Sequence, residues 1–287
     1  MEFDDKASLA TDLSERQKGN RSWWTEQTMS YDWKDRVARE RFSPEWFGEI
    51  DNRLIHGSRL FIDTDRPFAE LMQADSLKGA RVLEIGCGMG FHAELLARAG
   101  AQLTTIDVSP TSVEATRRRF QLKSLEGDIR QMDAETLQFE DGSFDAVWSW
   151  GVIHHSSRTA TILREIRRVL KPGGTAGIMV YSLDSMTAYV NLVRGYLLGF
   201  WRGRQMDEVL WAHSDGYSAR HYTKDQWSDL ARLFFEVEEL RLCGQDVDVV
   251  PLPRQIRPMV LKRISPKRQR ELAARRGWLL FSRLRAI

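Results

Sequence analysis

Val82-Leu83-Glu84-Ile85-Gly86-Cys87-Gly88-Met89-Gly90 runs an apolar strand into three alternate glycines, and a helical stretch over residues 91–99 follows at once. Glycine suits such a turn because the backbone angles disfavour side chains and because a ligand must lie directly on the main chain, next to a helix N-terminus. Asp107 closes the next apolar run, Leu103-Thr104-Thr105-Ile106, 21 residues after Gly86. At that spacing a carboxylate at the tip of a second parallel strand can accept both hydroxyls of a ribose. The dinucleotide fingerprint G-x-G-x-x-G is not met, since Phe91 stands where its third glycine would fall and the third glycine here comes one residue early. Glu84 is unexpected in a strand buried on both faces unless its carboxylate organises the turn amides or a cofactor ammonium group. A carboxylate merely satisfied by backbone donors is the plainer alternative.

Downstream landmarks follow in order. Ser109-Pro110 reads as an N-cap with proline at the first helical position, opening a helix to residue 120. A third strand over 129–132 closes on Asp133-Ala134-Glu135, followed by Leu137, Phe139 and Asp141-Gly142-Ser143-Phe144-Asp145-Ala146-Val147. A fourth strand, 146–149, leads into Trp150-Gly151-Val152-Ile153-His154-His155. A helix over 159–170 then stops at Lys171-Pro172-Gly173-Gly174 before a strand over 175–181.

This series, from about residue 79 to 181, resembles the class I S-adenosylmethionine-dependent methyltransferases, in the quinone-type and small-molecule branch. The resemblance implies an α/β fold, a Rossmann-like seven-stranded mostly parallel sheet with helices on both faces. It implies S-adenosylmethionine as cofactor and S-adenosylhomocysteine as product. On the family pattern an acid at Asp133 accepts the adenine amino group while the amide of Ala134 meets the ring. Asp128 competes for that role, but the register of Leu137, Phe139 and Phe144-Asp145 favours Asp133. The expected cofactor set is Glu84, Gly86, Cys87, Gly88, Gly90, Asp107, Val108, Asp133, Ala134 and Ser149.

A chain of 287 residues, 42% apolar and 29% charged, is ample for one main core with additions. The acidic start lacks a signal peptide's pattern and no apolar run is long enough to cross a bilayer, so a cytoplasmic protein is expected. Cys87 and Cys243 are the only cysteines, which suggests neither a disulfide framework nor a metal cluster. Cys87 reads as a small residue filling a tight turn rather than as a reactive thiol.

Residues 1–20 read as a disordered tail and 21–64 as an N-terminal helical lid. Within the latter, Ser43-Pro44 starts a helix whose Phe47, Ile50, Leu54 and Phe61 share one face and pack on the core. Trp23, Trp24, Tyr31 and Trp33 fit a helical stripe poorly, and the resemblance assigns them to an aromatic lid over the cofactor. The cofactor-binding core spans 65–181, an insertion after the fifth strand spans 182–222, and 223–287 complete the fold. The insertion holds an apolar stretch, 186–201, which on the resemblance builds the acceptor pocket with Trp150, His221 and Tyr222, and which reads equally as an amphipathic helix on the core. Thr223-x-x-Gln226 makes a capping box, and 237–243 and 278–284 read as the last two strands; the resemblance implies a sheet that ends in an antiparallel strand, for which 278–284 is the candidate.

Charge is concentrated between those strands: residues 254–276 hold nine Lys or Arg against Glu271, in a chain whose net charge is only +2. A solvated helical face explains this most simply, with attraction to an anionic acceptor or an acidic membrane surface as the sharper reading.

Methyl transfer from a sulfonium is an in-line displacement in which the protein chiefly orients donor and acceptor and removes a proton. His154 and His155 follow the fourth strand, at the edge where parallel sheets present ligands, and are the candidate base or positioning pair. His213, His221 and Tyr222 in the insertion are weaker candidates. The chain lacks the Pro-Pro-aromatic motif of amino-nucleobase methylation, the catalytic Cys of pyrimidine carbon methylation and the paired glutamates of protein-arginine methylation after the fourth strand. Nucleic acid is therefore not an expected partner, and a small-molecule hydroxyl is the first choice of acceptor. Two alternatives stay open: modification of a lipid or lipid-linked glycan, with weak membrane-surface contact through 186–201 and 254–276, and a non-catalytic S-adenosylmethionine-binding regulatory protein. Oligomeric state is left open.

Overall fold

The computed structural model describes residues 13–27, 29, 31, 37–197, 206–211 and 214–287. The chain enters through α1 (Leu13–Glu26), α2 (Pro44–Ser58) and α3 (Ala69–Met72). The core follows as β1 (Arg81–Ile85), α4 (Phe91–Arg98), β2 (Gln102–Asp107), α5 (Pro110–Lys123), β3 (Asp128–Gln131), β4 (Phe144–Trp150), α6 (Thr159–Val169) and β5 (Leu170–Ser182). Then come α7 (Met186–Leu197), α8 (Met206–Trp211), β6 (His221–Tyr222), α9 (Lys224–Arg232) and β7 (Phe235–Cys243). The chain closes with α10 (Asp246–Val249), α11 (Arg257–Leu261), α12 (Pro266–Arg276) and β8 (Leu279–Ala286).

The sheet runs in the order β3-β2-β1-β4-β5-β8-β7, with the two-residue β6 added alongside β5. Pairs from β3 through β5 are parallel, whereas β8 is antiparallel to both neighbours, as the sequence suggests. It lies between β5 and β7 rather than at the edge. Side chains alternate across the strands. Leu83, Ile85, Val147, Ile178 and Val180 pack against Ile162 and Ile166 of α6 and Trp227 of α9. Val82, Trp148, Met179 and Phe281 pack on the other face against Phe91 and Leu96 of α4 and Phe120 of α5. Both faces are thereby covered, which is what lets a mostly parallel sheet stand.

The helix starts follow the sequence signals. Ser43 Oγ accepts from the Trp46 amide at 3.1 Å and Ser109 Oγ from the Ser112 amide at 3.3 Å, each with proline next in the chain. Thr223 and Gln226 complete both bonds of the capping box.

Three expectations need correction. A disordered tail to residue 20 does not hold, because α1 begins at Leu13; residues 1–12 lie outside those described. The segment has no apolar stripe because polar contacts to the core hold it. Ser109 and Thr111 at the start of α5 donate to the carbonyls of Trp24 and Thr25 at 2.9 and 3.0 Å. Secondly, α2 ends at Ser58, so Phe61 lies beyond it, although its ring still stacks on Trp150 at 5.9 Å. Thirdly, β5 begins at Leu170 rather than 175: Leu170 pairs with Phe144, and a register shift absorbs the Pro-Gly-Gly stretch before regular pairing resumes at Thr175.

Among the described residues no helix is long and apolar enough to cross a membrane.

Candidate functional site

All three turn glycines have positive φ, +86° at Gly86, +50° at Gly88 and +77° at Gly90. Two of them matter for different reasons. A Cβ on Gly86 would sit 2.2 Å from Cγ2 of Val152, so the turn is pressed against the loop after β4. A Cβ on Gly88 would meet nothing within 4 Å, so its main chain faces open space. That space is a cavity of about 1030 Å³, its mouth included, at the carboxyl edge of β1, β2 and β4.

Three acids line it. Asp107, at the tip of β2, accepts from the amides of Gly88 at 3.0 Å and Ser109 at 2.8 Å, so one carboxylate braces both the turn and the next helix start. Burial raises its pKa, and those two amides oppose the rise. Glu84 is buried within β1. Its Oε2 accepts from Thr105 Oγ1 at 2.5 Å, and the Ala93 amide in the first turn of α4 also reaches its carboxyl group. Burial nonetheless pushes its pKa up to about 8, with Asp107 adding to the rise. Asp133 follows β3; its Oδ1 accepts from the Glu135 amide at 2.9 Å, and Gln17 Nε2 of α1 donates to both oxygens at 3.0 and 3.2 Å. The competing acid, Asp128, starts β3 and pairs with Arg130, away from the cavity.

Cys87, Val108 and Ala134 also line the cavity, whereas Gly90 and Ser149 do not. Gly90 caps α4, and Ser149 Oγ is spent on the Ile85 carbonyl at 3.2 Å, holding β4 to β1. The Cys87 thiol is buried and its pKa raised by desolvation, which makes it packing rather than a nucleophile.

The structure separates the histidine pair. His155 lines the cavity, its ring edge-to-face with Trp24 at a centroid separation of 5.1 Å. Its Nδ1 lies 2.7 Å from the Ser218 carbonyl. A carbonyl only accepts, so the proton resides on Nδ1 and Nε2 is the basic nitrogen. Asn20 of α1 donates to the His155 carbonyl, and the Arg220 amide donates to that of His154 at 2.8 Å. His154 does not line the cavity; it is fully buried 4.0 Å from the Tyr181 ring centroid. Desolvation, then His155 and His221, hold its pKa well below the ordinary value, so it stays neutral packing.

Of the lid and pocket residues, Trp24, Tyr31 and Trp150 line the cavity, and Trp23 does not. Trp33 and His213 lie outside the described residues. His221 packs 5.4 Å from Tyr181, its pKa pushed down to about 4 by burial, and the Tyr222 hydroxyl donates to Thr159 Oγ1 at 3.0 Å at the start of α6. Neither reaches the cavity, because β6 pairs them onto β5 instead.

The sequence reading missed Gln17, Asn20 and His92. The first two sit in a segment with no apolar period to mark it. His92, in the first turn of α4, lines the cavity and accepts from Trp148 Nε1 at 3.1 Å through Nδ1. That bond fixes its proton on Nε2, a buried donor with no hydrogen-bond partner. Burial, with Arg119 nearby, pushes its pKa down to about 3, so it serves as a neutral donor and never as a base at ordinary pH. Its position directly after the glycine turn was the available signal.

The chain is similar to known proteins over this same region. Residues 83–178 match a methyltransferase domain family. A ubiquinone biosynthesis O-methyltransferase of Xanthomonas campestris pv. campestris (strain B100) is 43% identical over 101 residues, 35% of this chain and 42% of that protein. One from Methylocella silvestris is 40% identical over 126 residues, 43% of this chain and 49% of that protein. The chain thus spans under half the length of these relatives. Among solved structures, the 4+2 cyclase SpnF aligns over 88% of this chain and 85% of its own, with a TM-score of 0.54 and 21% identity. A methyltransferase structure from Bacillus halodurans C-125 aligns over 76% and 97%, with a TM-score of 0.52 and 20% identity. At such identities the likeness is one of fold.

Proposed function

We propose that this chain, whose residues 83–178 match a methyltransferase domain family, is a class I S-adenosylmethionine-dependent methyltransferase that transfers a methyl group to a hydroxyl of a small molecule. One observation carries the reading: a single cavity is lined by Glu84 of β1, Asp107 at the tip of β2 and Asp133 just after β3, and also by His155, whose Nδ1 is held by the Ser218 carbonyl.

The donor set fits the cofactor. Gly88 leaves room for it against the main chain, Asp107 suits ribose hydroxyls, Asp133 an adenine amino group, and Glu84 an ammonium group that would draw off its proton. S-adenosylmethionine, when bound, supplies an electrophilic methyl on a good leaving group. The chain's own residues then orient, shield and deprotonate. Trp24, Tyr31 and Trp150 exclude water from the reacting centre. His155 Nε2 takes the acceptor's hydroxyl proton as the new carbon–oxygen bond forms, and the Ser218 carbonyl steadies the resulting imidazolium through Nδ1. His92 Nε2 offers a hydrogen bond to an oxygen of the acceptor without competing for that proton. The relatives are named for O-methylation, which supports oxygen as the acceptor atom.

Methyl-labelled S-adenosylmethionine incubated with a small-molecule extract of the source cells tests the reading. Wild type should label an extract component, and His155→Phe should lower the rate by roughly 10²–10⁴-fold with S-adenosylhomocysteine affinity retained. No labelling by wild type would overturn methyl transfer, and undiminished labelling by the variant would remove His155 from its role.

A further inference from the structure

Among the described residues, most of the large apolar side chains left exposed lie in two stretches that leave the same edge of the sheet. Tyr189, Tyr196 and Leu197 of α7 are 64%, 72% and 75% exposed, and Ile256 and Met259 are 49% and 66% exposed. Tyr189, Val193 and Tyr196 recur at spacings of four and three and form one stripe on α7, while Leu252 and Ile256 lie in the turn before α11 and Met259 on α11 itself. The second stretch turns at Pro253, whose carbonyl accepts from the amides of Ile256 and Arg257 at 3.0 Å, and enters α11 at Arg257. The topology places the two sets together: α7 follows the carboxyl end of β5, α10 and α11 follow that of β7, and these strands run parallel. Helix α10 packs against both α7 and α11, and Thr187 Oγ1 donates to Asp248 Oδ1 at 2.6 Å across the first of these contacts. That edge is also where the cavity lies.

Charge selects the occupant. Residues 185–206 and 249–270 contain no acid at all, while Arg194, Lys262, Arg263 and Lys267 are exposed beside the two sets. A second copy would set cation against cation. An anionic bilayer offers both partners at once, an apolar layer for the apolar side chains and acidic headgroups for the rim, and tyrosine suits that interface. With no described helix able to cross a membrane, the contact is peripheral.

We propose that this face, with Tyr196 and Leu197 on α7 and Ile256 and Met259 around α11, docks on an anionic lipid surface. The proposal is independent of the methyl-transfer reading. The expected contact was 186–201 with 254–276; residues 198–201 lie outside those described, and the face drawn here uses only described ones.

Flotation of the full chain with vesicles tests it. Binding is expected to phosphatidylcholine mixed with phosphatidylglycerol and not to phosphatidylcholine alone, and it should weaken as salt is raised. Two double variants, Ile256→Ser with Met259→Ser and Lys262→Glu with Arg263→Glu, should each reduce it about tenfold or more with unchanged circular dichroism. All four side chains are exposed, so folding is not at stake. Absence of flotation with the mixed vesicles overturns the proposal, as does binding that survives both double variants. A concentration-dependent dimer abolished by Ile256→Ser with Met259→Ser, with vesicles ignored, assigns the face to a second copy instead.

Discussion

Glu84 shows how a single side chain can be legible in type and not in state. Its place two residues before the glycine turn marks it in the sequence as an anomaly, but only the structure shows that Thr105 and the first turn of α4 share it and that burial keeps it protonated. The unfolded chain loses this proton near pH 4.5, whereas the folded chain keeps it to about 8. Across that window the unfolded state holds fewer protons, so the stability given by the neutral carboxyl fades as pH rises. Glu84→Gln keeps an acceptor and a donor without titrating. Its stability relative to wild type, measured by denaturant unfolding without cofactor, should climb between pH 4.5 and 8 by up to about 1.4 kcal/mol per pH unit. A difference that stays constant over this range would mean that Glu84 ionises as an ordinary surface carboxylate does. Asp107 and Asp133 were legible because spacing from a glycine turn fixes a strand tip. His92 was not, because its role depends on the Trp148 indole 56 residues away.

At the scale of elements, α1 is the part that sequence periodicity could not find. Helices declare themselves through an apolar stripe, and this one is held by polar contacts: Gln17 on Asp133, Asn20 on the His155 loop, and its last carbonyls on the start of α5. Deleting residues 1–26 should leave the core folded by circular dichroism. It should weaken S-adenosylhomocysteine binding and abolish methyl transfer, because Gln17, Asn20 and Trp24 leave the cavity wall. Truncation at residue 19, which the sequence alone treats as harmless, should also weaken binding through the loss of Gln17. Full affinity and turnover in the longer deletion would reduce α1 to packing. Its neighbours α2, α4 and α5 are joined differently. Arg119, fully buried on α5, pairs with Asp51 of α2 at 2.6 Å and Glu94 of α4 at 2.9 Å and stacks on Phe47. Such a clamp leaves no trace in the periodicity of any one helix.

For the molecule as a whole, the mostly parallel α/β sheet and the antiparallel β8 were legible through the family resemblance that residues 79–181 carry, whereas the order of the strands was not read from the sequence. The two-residue β6 was not, as it forms only where the insertion returns to the sheet at Tyr181. That return withdraws His221 and Tyr222 from the acceptor side. On the proposed function, the carboxyl edge of this sheet holds S-adenosylmethionine through Asp107 and Asp133. Calorimetric titration of S-adenosylhomocysteine into wild type, Asp107→Ala and Asp133→Ala tests it most directly. Wild type should bind, and each substitution should cost on the order of 1–3 kcal/mol, read as about a tenfold to hundredfold loss of affinity. Unchanged affinity in both variants would contradict the account.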